Sequence, residues 1–262
     1  MPANTPDPDK AAGGAVQSVD RALQVLEMIG RAGTAGVTEL AVELGVHKST
    51  VSRIIGSLEA RGFVEQVPDS RKYRIGFTVV RLAGSTTATL DLAKQGQDIC
   101  NALAAETGET TNLAVLGGAD AINVVEAQGS SSVALQTWVG QSTPAHATSS
   151  GKALLSGLTT DELRATMPAR LQAFTENTIT SLSALTANLD IVRERGWAMA
   201  EEELEVGLIA VAAPIRDHTG RVVSSLSISG PRYRFAPEDA PQVAAKVMRA
   251  ATELNERFGY YG

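Results

Sequence analysis

The 262-residue chain is short of the side chains that redox, metal and disulfide chemistry need. Its one cysteine, Cys100, excludes an internal disulfide and a cysteine-rich zinc site, and fits a reducing cytoplasm. The three histidines, His47, His146 and His218, lack the close spacing of metal ligands. Aromatic residues make up only 4%, so cores must be built from Ala, Val, Leu and Ile. No apolar run reaches the roughly 18 residues of a membrane span. The first 18 residues hold prolines, glycines and acids without an apolar stretch, unlike a secretory signal. Residues 1–17 are therefore expected to be a disordered tail, and no cofactor, metal or membrane partner is expected.

What is present is enough for one large domain or two modest ones, with 44% hydrophobic residues. The net charge of −6 conceals a split. Residues 47–81 carry seven bases against three acids, a net +4, whereas residues 91–262 carry 13 bases against 20 acids, a net −7. A basic patch on an acidic body is compatible with DNA binding.

The patch has a pattern. Ser18 can cap a helix whose apolar face is Val19, Ala22, Leu23, Leu26 and Ile29. After Gly30, Gly33 and Gly36, Thr38 can cap a short helix over 39–44; Gly45 turns the chain, and a third helix runs over 48–61 to Gly62. Leu40, Ala41, Leu44, Gly45, Val46, Val51 and Ile54 occupy the positions of a helix-turn-helix. Ala41 must be small where the helices cross, Gly45 must accept a left-handed turn, and Val46, Val51 and Ile54 fill the angle between them. In that arrangement the third helix presents His47, Lys48, Ser49, Thr50, Ser52 and Arg53 to the major groove. Arg53 suits a two-pronged contact to guanine, Lys48 the same or a phosphate, and the hydroxyls phosphate or base edges. Helix packing is an alternative for Thr50 and capping for Ser49. Strands over 63–67 and 72–75 around a turn at 68–71 form a hairpin, a wing whose basic tip, Arg71 and Lys72, suits phosphate or the minor groove.

Residues 18–76 thus form a winged helix-turn-helix, followed by a linker helix over 77–90 with a hinge at 86–88. Beyond it a helix over 91–106 stops at Gly108, with Cys100 as a packing residue. Strands are expected over 111–116, 121–127, 133–139, 208–215 and 222–229. Helices are expected from 149, from 160, over 182–195 and over 237–258. The result is an antiparallel sheet flanked by helices, an α+β chain.

Three stretches carry a family resemblance. They are Lys48-Ser49-Thr50-Val51 through Leu58-Glu59-Ala60-Arg61-Gly62-Phe63; His146-Ala147-Thr148-Ser149-Ser150-Gly151-Lys152-Ala153; and Gly207-Leu208 with Ser227-Ile228-Ser229-Gly230-Pro231. In this order and spacing the chain resembles the IclR-type bacterial transcriptional regulators from about Ser18 to Phe258. The resemblance implies a GAF-like effector-binding domain over 91–262, dimers formed through the DNA-binding half and often paired into tetramers, and repression or activation of catabolic operons. It places the effector against Leu135, Thr143, Ser149, Ser150, Leu208, Ala210, Ser227 and Ser229. The residues agree: Ser149 and Ser150 fall at an expected helix N-terminus, and Ser227 and Ser229 share a strand face. One departure is Ala200 where the family's Asp-Asp-Glu-Glu run begins, so an acidic pocket contact is not expected there. Its loss would suit an apolar or anionic ligand. Glu201, Glu202 and Glu203 read as solvated carboxylates on a surface loop.

Rival readings are weaker. Ser149-x-x-Lys152 has the spacing of an acyl-serine nucleophile, but companion Ser-Asp-Asn and Lys-Thr-Gly motifs are absent. The same stretch lacks the first glycine and the Ser or Thr of a phosphate loop. A ligand sensor with a vestigial DNA-binding half is opposed by Arg53 and the basic wing. The expectation is a cytoplasmic, non-enzymatic regulator, a repressor of a catabolic operon, that reads pseudo-palindromic operator DNA as a dimer or tetramer. A small organic acid or aromatic catabolite would modulate it by shifting the linker helices and so the spacing of the recognition helices.

Overall fold

In the computed structural model, residues 8–84, 87–130 and 139–262 are described, with 8–16, 80–81, 83–84 and 87–91 described in backbone only. The chain divides into two compact units, residues 1–90 and 91–262.

In the first unit, helix α1 (Pro8–Ala32) turns Val25, Met28 and Ile29 inward. It begins ten residues before Ser18, so Ser18 lies within the helix, not at its cap, and residues 8–17 are helical; positions 1–7 of the expected tail lie outside the described residues. A two-residue strand β1 (Ala35–Gly36) leads into α2 (Val37–Glu43). The cap is Gly36 and not Thr38, because the Glu39 carboxylate reaches back to accept the Gly36 N–H at 2.9 Å and so satisfies an otherwise orphaned donor. Gly45, at φ 62°, makes the turn into α3 (Lys48–Ala60). Leu40, Ala41, Val51 and Ile55 are buried between the helices. Ile55 takes the place expected of Ile54: it stands one helical turn beyond Val51, whereas Ile54 is rotated about 100° away and is only partly buried.

Strands β2 (Val64–Gln66) and β3 (Lys72–Ile75) form the expected hairpin, its turn helped by Asp69 in the left-handed region at φ 58°. β3 also pairs with β1, giving a sheet of order β1-β3-β2. The linker is α4 (Phe77–Gly84). Of the expected hinge, Thr86 lies outside the described residues, and Thr87 and Ala88 open helix α5 (Thr87–Thr107).

The second unit is built on a six-stranded antiparallel sheet. Its strands are β4 (Thr110–Gly117), β5 (Asp120–Ala127), β6 (Ser142–Pro144), β7 (Ala198–Glu201), β8 (Leu208–Arg216) and β9 (Val222–Pro231), in the order β6-β5-β4-β9-β8-β7. β6 and β7 are too short and too mixed in polarity to announce themselves. Of the strand expected over 133–139, positions 133–138 lie outside the described residues, and Val139 sits in a turn.

Strand alternation sends Leu113, Val125, Ile209, Val211, Leu226 and Ile228 to one face, where α5 and the final helix α9 (Ala240–Arg257) cover them. Cys100 is fully buried there, and burial pushes its thiol up to about 12, consistent with packing and not reactivity. On the other face pack α6 (Ser149–Leu155), α7 (Thr160–Thr166) and α8 (Leu182–Arg195). Gly196, at φ 83°, ends α8 as expected. This second face carries small residues: Ala114, Ala121, Ala198, Ala200, Ala210, Ala212, Ser227 and Ser229. Small side chains leave room, and part of that room is a cavity. Among the described residues no helix is long and apolar enough to cross a membrane.

Candidate DNA-contact surface and effector cavity

Each unit carries its own candidate site. In the N-terminal unit, Lys48, Ser49, Ser52 and Arg53 of α3 are exposed, as are Arg71 and Lys72 of the hairpin. His47 is also exposed but serves as the helix cap: its Nδ1 accepts the Ser49 N–H at 3.3 Å and lies 2.8 Å from Ser49 Oγ. His47 and Ser49 thus fix the N-terminus of the helix. Thr50 is half-buried in a groove between α1 and α3, beside Ile54 and Leu58 of α3 and Ala22, Leu23 and Leu26 of α1, which is the packing alternative. Lys72 pairs with Glu39 at 3.0 Å, and Arg74 with Glu65 across the hairpin at 2.6 Å. Arg53 and Arg71 make no ion pair among the described residues. They are the side chains of this surface best placed to meet an outside acceptor.

In the C-terminal unit a cavity of about 180 Å³ opens on the small-residue face. Of the eight side chains singled out for an effector, seven line it: Thr143, Ser149, Ser150, Leu208, Ala210, Ser227 and Ser229. Leu135 lies outside the described residues. The register explains the convergence. Ala200, Ala210 and Ser229 form one row across β7, β8 and β9, and Ala212, Ser227 and Asn112 form the next across β8, β9 and β4. The 3-10 turn Ala145–Ala147 and the start of α6 close the cavity from above the sheet. Thr148 caps α6, its hydroxyl accepting the Gly151 N–H at 3.1 Å, and Ser149 is the first residue of the helix. His146 is buried, with Nε2 2.9 Å from the Gln172 carbonyl, and so ties the turn to the chain leading toward α8.

The structure adds Asn112, Asn123, Ala147, Thr148, Ala200, Glu203, Leu204 and Glu205 to the lining. Glu203 overturns the expectation that all three glutamates are solvated. It is 9% exposed, and its Oε1 accepts from Lys152 Nζ at 2.6 Å. Lys152 is fully buried. Desolvation lowers the Lys152 ammonium and raises the Glu203 carboxyl, and their mutual attraction opposes both shifts. The loop is anchored by its backbone as well. Thr175 Oγ1 donates to the Glu202 carbonyl at 2.5 Å and Thr178 Oγ1 to the Glu203 carbonyl at 2.6 Å. Glu202, in the left-handed region at φ 53°, accepts the Gly207 N–H at 2.6 Å and pairs with Arg232. The buried acid of the lining is thus at position 203, the last of the run, and not at position 200. A signal for the pair existed in the sequence: Lys152 is the one charged residue in an otherwise small and apolar helix, which calls for a buried counter-charge.

These two sites can be set against known proteins. Residues 84–256 match the family described as bacterial transcriptional regulator IclR C-terminal, and residues 18–68 match the IclR helix-turn-helix domain. The chain belongs to the IclR family. The chain is 32% identical over 252 residues to the transcriptional repressor IclR of Escherichia coli K12, covering 95% of this chain and 92% of that protein. Among solved structures it is similar to the Thermotoga maritima IclR, with a TM-score of 0.71 and 27% identity over 94% of this chain and all of that one. It is also similar to the inducer-binding domain of the Acinetobacter transcription factor PobR, a double mutant in complex with 3-hydroxybenzoic acid. There the TM-score is 0.58 and the identity 29%, over 62% of this chain and 97% of that domain. The chain is therefore a DNA-binding transcriptional regulator with a C-terminal ligand-binding domain, in a family of regulators and not enzymes.

Proposed function

We propose that this regulator is a cytoplasmic repressor of a catabolic operon, reading a pseudo-palindromic operator as a dimer, or as a tetramer of paired dimers. A small organic acid or aromatic catabolite bound in the C-terminal cavity modulates it. The observation that carries the ligand half is the convergence of Thr143, Ser149, Ser150, Leu208, Ala210, Ser227 and Ser229 on one cavity. Its volume is near the 150 Å³ or so of a protein cavity that accommodates benzene, so a one-ring or shorter ligand fits. The bound 3-hydroxybenzoic acid of the PobR domain is a molecule of this size. The DNA half rests on exposed Arg53, Lys48 and Ser52 on α3 and Arg71 at the wing tip. A guanidinium with no ion pair among the described residues is suited to a guanine edge, and a second, on a hairpin, to phosphate. Effector binding alters operator affinity only if the ligand prefers one spacing of the recognition helices over another.

Two titrations test the reading. Arg53→Ala is expected to weaken specific operator binding by tenfold or more, the scale of a lost base contact, with a smaller loss for Arg71→Ala. Unchanged affinity in both variants would refute the recognition surface. For the cavity, Ser149→Leu and Ser227→Ala are each expected to weaken ligand binding, Ser149→Leu the more because it fills space. If both leave affinity untouched, the ligand sits elsewhere.

A further inference from the structure

The cavity wall presents more hydrogen-bond acceptors than the described residues satisfy. Lys152 occupies only Oε1 of Glu203; Oε2 is buried and has no hydrogen-bond partner among the described residues. The side-chain oxygen of Asn112 is likewise buried and unpartnered. Both residues line the cavity, at 9% and 7% exposure. A buried acceptor without a donor is costly, and more so when it belongs to a carboxylate. Two such atoms in one wall therefore describe what the missing partner has to bring.

Charge narrows the choice. No lysine or arginine stands among the lining residues; Lys152 lies behind Glu203 and neutralises it. A bare carboxylate would set its lone pairs against Glu203 Oε2 and against the exposed Glu205, the other carboxylate of the lining. A neutral O–H donor meets no such objection. Leu204, Leu208, Ala200 and Ala210 give the lining its apolar part, among the hydroxyls of Thr143, Ser149, Ser227 and Ser229. We propose that the cavity is built for a hydroxylated small molecule whose hydroxyl donates to Glu203 Oε2 or Asn112 Oδ1 while its carbon frame lies on the leucines and alanines. Glu203 and Asn112 then determine specificity, rejecting the analogue that lacks the hydroxyl. This inference rests on the cavity being the effector site.

The test uses the full chain and matched probes: 3-hydroxybenzoate against benzoate, phenol against toluene, and glycolate against acetate. Binding is followed by calorimetry and by amide chemical shifts of Ala210 and Ser227. At least one hydroxylated member is expected to bind tenfold or more tightly than its partner, since a site that hydrogen-bonds a hydroxyl discriminates strongly against its loss. Asn112→Ala, which leaves the Lys152–Glu203 pair intact, is expected to reduce that ratio severalfold with little effect on the deoxy probe. Glu203→Gln should alter it further, with thermal melting to confirm that each variant is folded. Equal binding within every pair would overturn the inference, because water must then satisfy both oxygens, while leaving the cavity as the effector site. If no probe perturbs Ala210 or Ser227 at millimolar concentration, the effector-site reading fails and takes the inference with it.

Discussion

At the scale of single residues the Lys152–Glu203 pair dominates the C-terminal unit. Two charges removed from water gain little over an apolar pair of the same size, but one left without the other is severely penalised. Lys152→Met is accordingly expected to destabilise the C-terminal unit by about 3–5 kcal/mol, and adding Glu203→Leu to recover most of the loss. Thermal melting of the two variants checks this. Burial already raises Glu203 above its ordinary value of 4.5, so its folded form holds a proton more tightly than its unfolded form. A group of this kind favours the fold at low pH and loses that contribution as pH rises through its folded value. Without Lys152 the effect grows, so Lys152→Met should regain stability as pH falls from 8 toward 4.5, more than the parent does. Position 203 was legible only in part. The sequence shows three consecutive glutamates, and nothing in their identity says which one turns inward; the left-handed backbone at Glu202 and the Thr175 and Thr178 bonds make that choice.

At the scale of elements, helix α6 is held against the turn before it by a glycine. A Cβ on Gly151 would lie 2.2 Å from both Cα and the carbonyl oxygen of Ala145, backbone atoms that cannot swing aside. Gly151→Ala is therefore expected to displace α6 or the turn that roofs the cavity, at a cost of about 1–3 kcal/mol, and to weaken ligand binding with it. Gly45→Ala is the comparison: a Cβ there meets nothing within 4 Å, but φ is 62°. It should cost roughly 1–2 kcal/mol from backbone strain alone, confined to the N-terminal unit and to DNA binding. Separate melting of the two units distinguishes these outcomes. The elements also show where periodicity suffices. The 3.6-residue spacing and Gly196 place α8 correctly, and the alternation of β4, β5, β8 and β9 brings Asn112, Asn123, Ala210, Ser227 and Ser229 onto one face. The helix starts are less legible, since Glu39 can cap from three residues inside and α1 continues through a Gly- and Ala-rich stretch, 11–16, whose small residues mark no apolar face. β6 and β7, at three and four residues, are too short for alternation to stand out from their surroundings.

At the scale of the whole molecule, a net charge of −6 disguises a basic stretch of +4 within residues 47–81. DNA binding is thus expected to fall steeply with salt, through release of counterions from the phosphates that the basic residues neutralise. The acidic C-terminal unit, at −7 over residues 91–262, should add no affinity for duplex. The division of labour follows from composition as much as from fold. Bases cluster on α3 and the hairpin, and hydroxyls, amides and one buried acid cluster in the cavity. The most direct measurement of this account is the binding of the purified chain to DNA from upstream of its own gene, against a scrambled duplex of equal length, at 50 and 200 mM salt. The account predicts preference for the upstream DNA, steep weakening at the higher salt and collapse of the preference in Arg53→Ala. Equal binding to both duplexes, there and across a genomic fragment library, would contradict it.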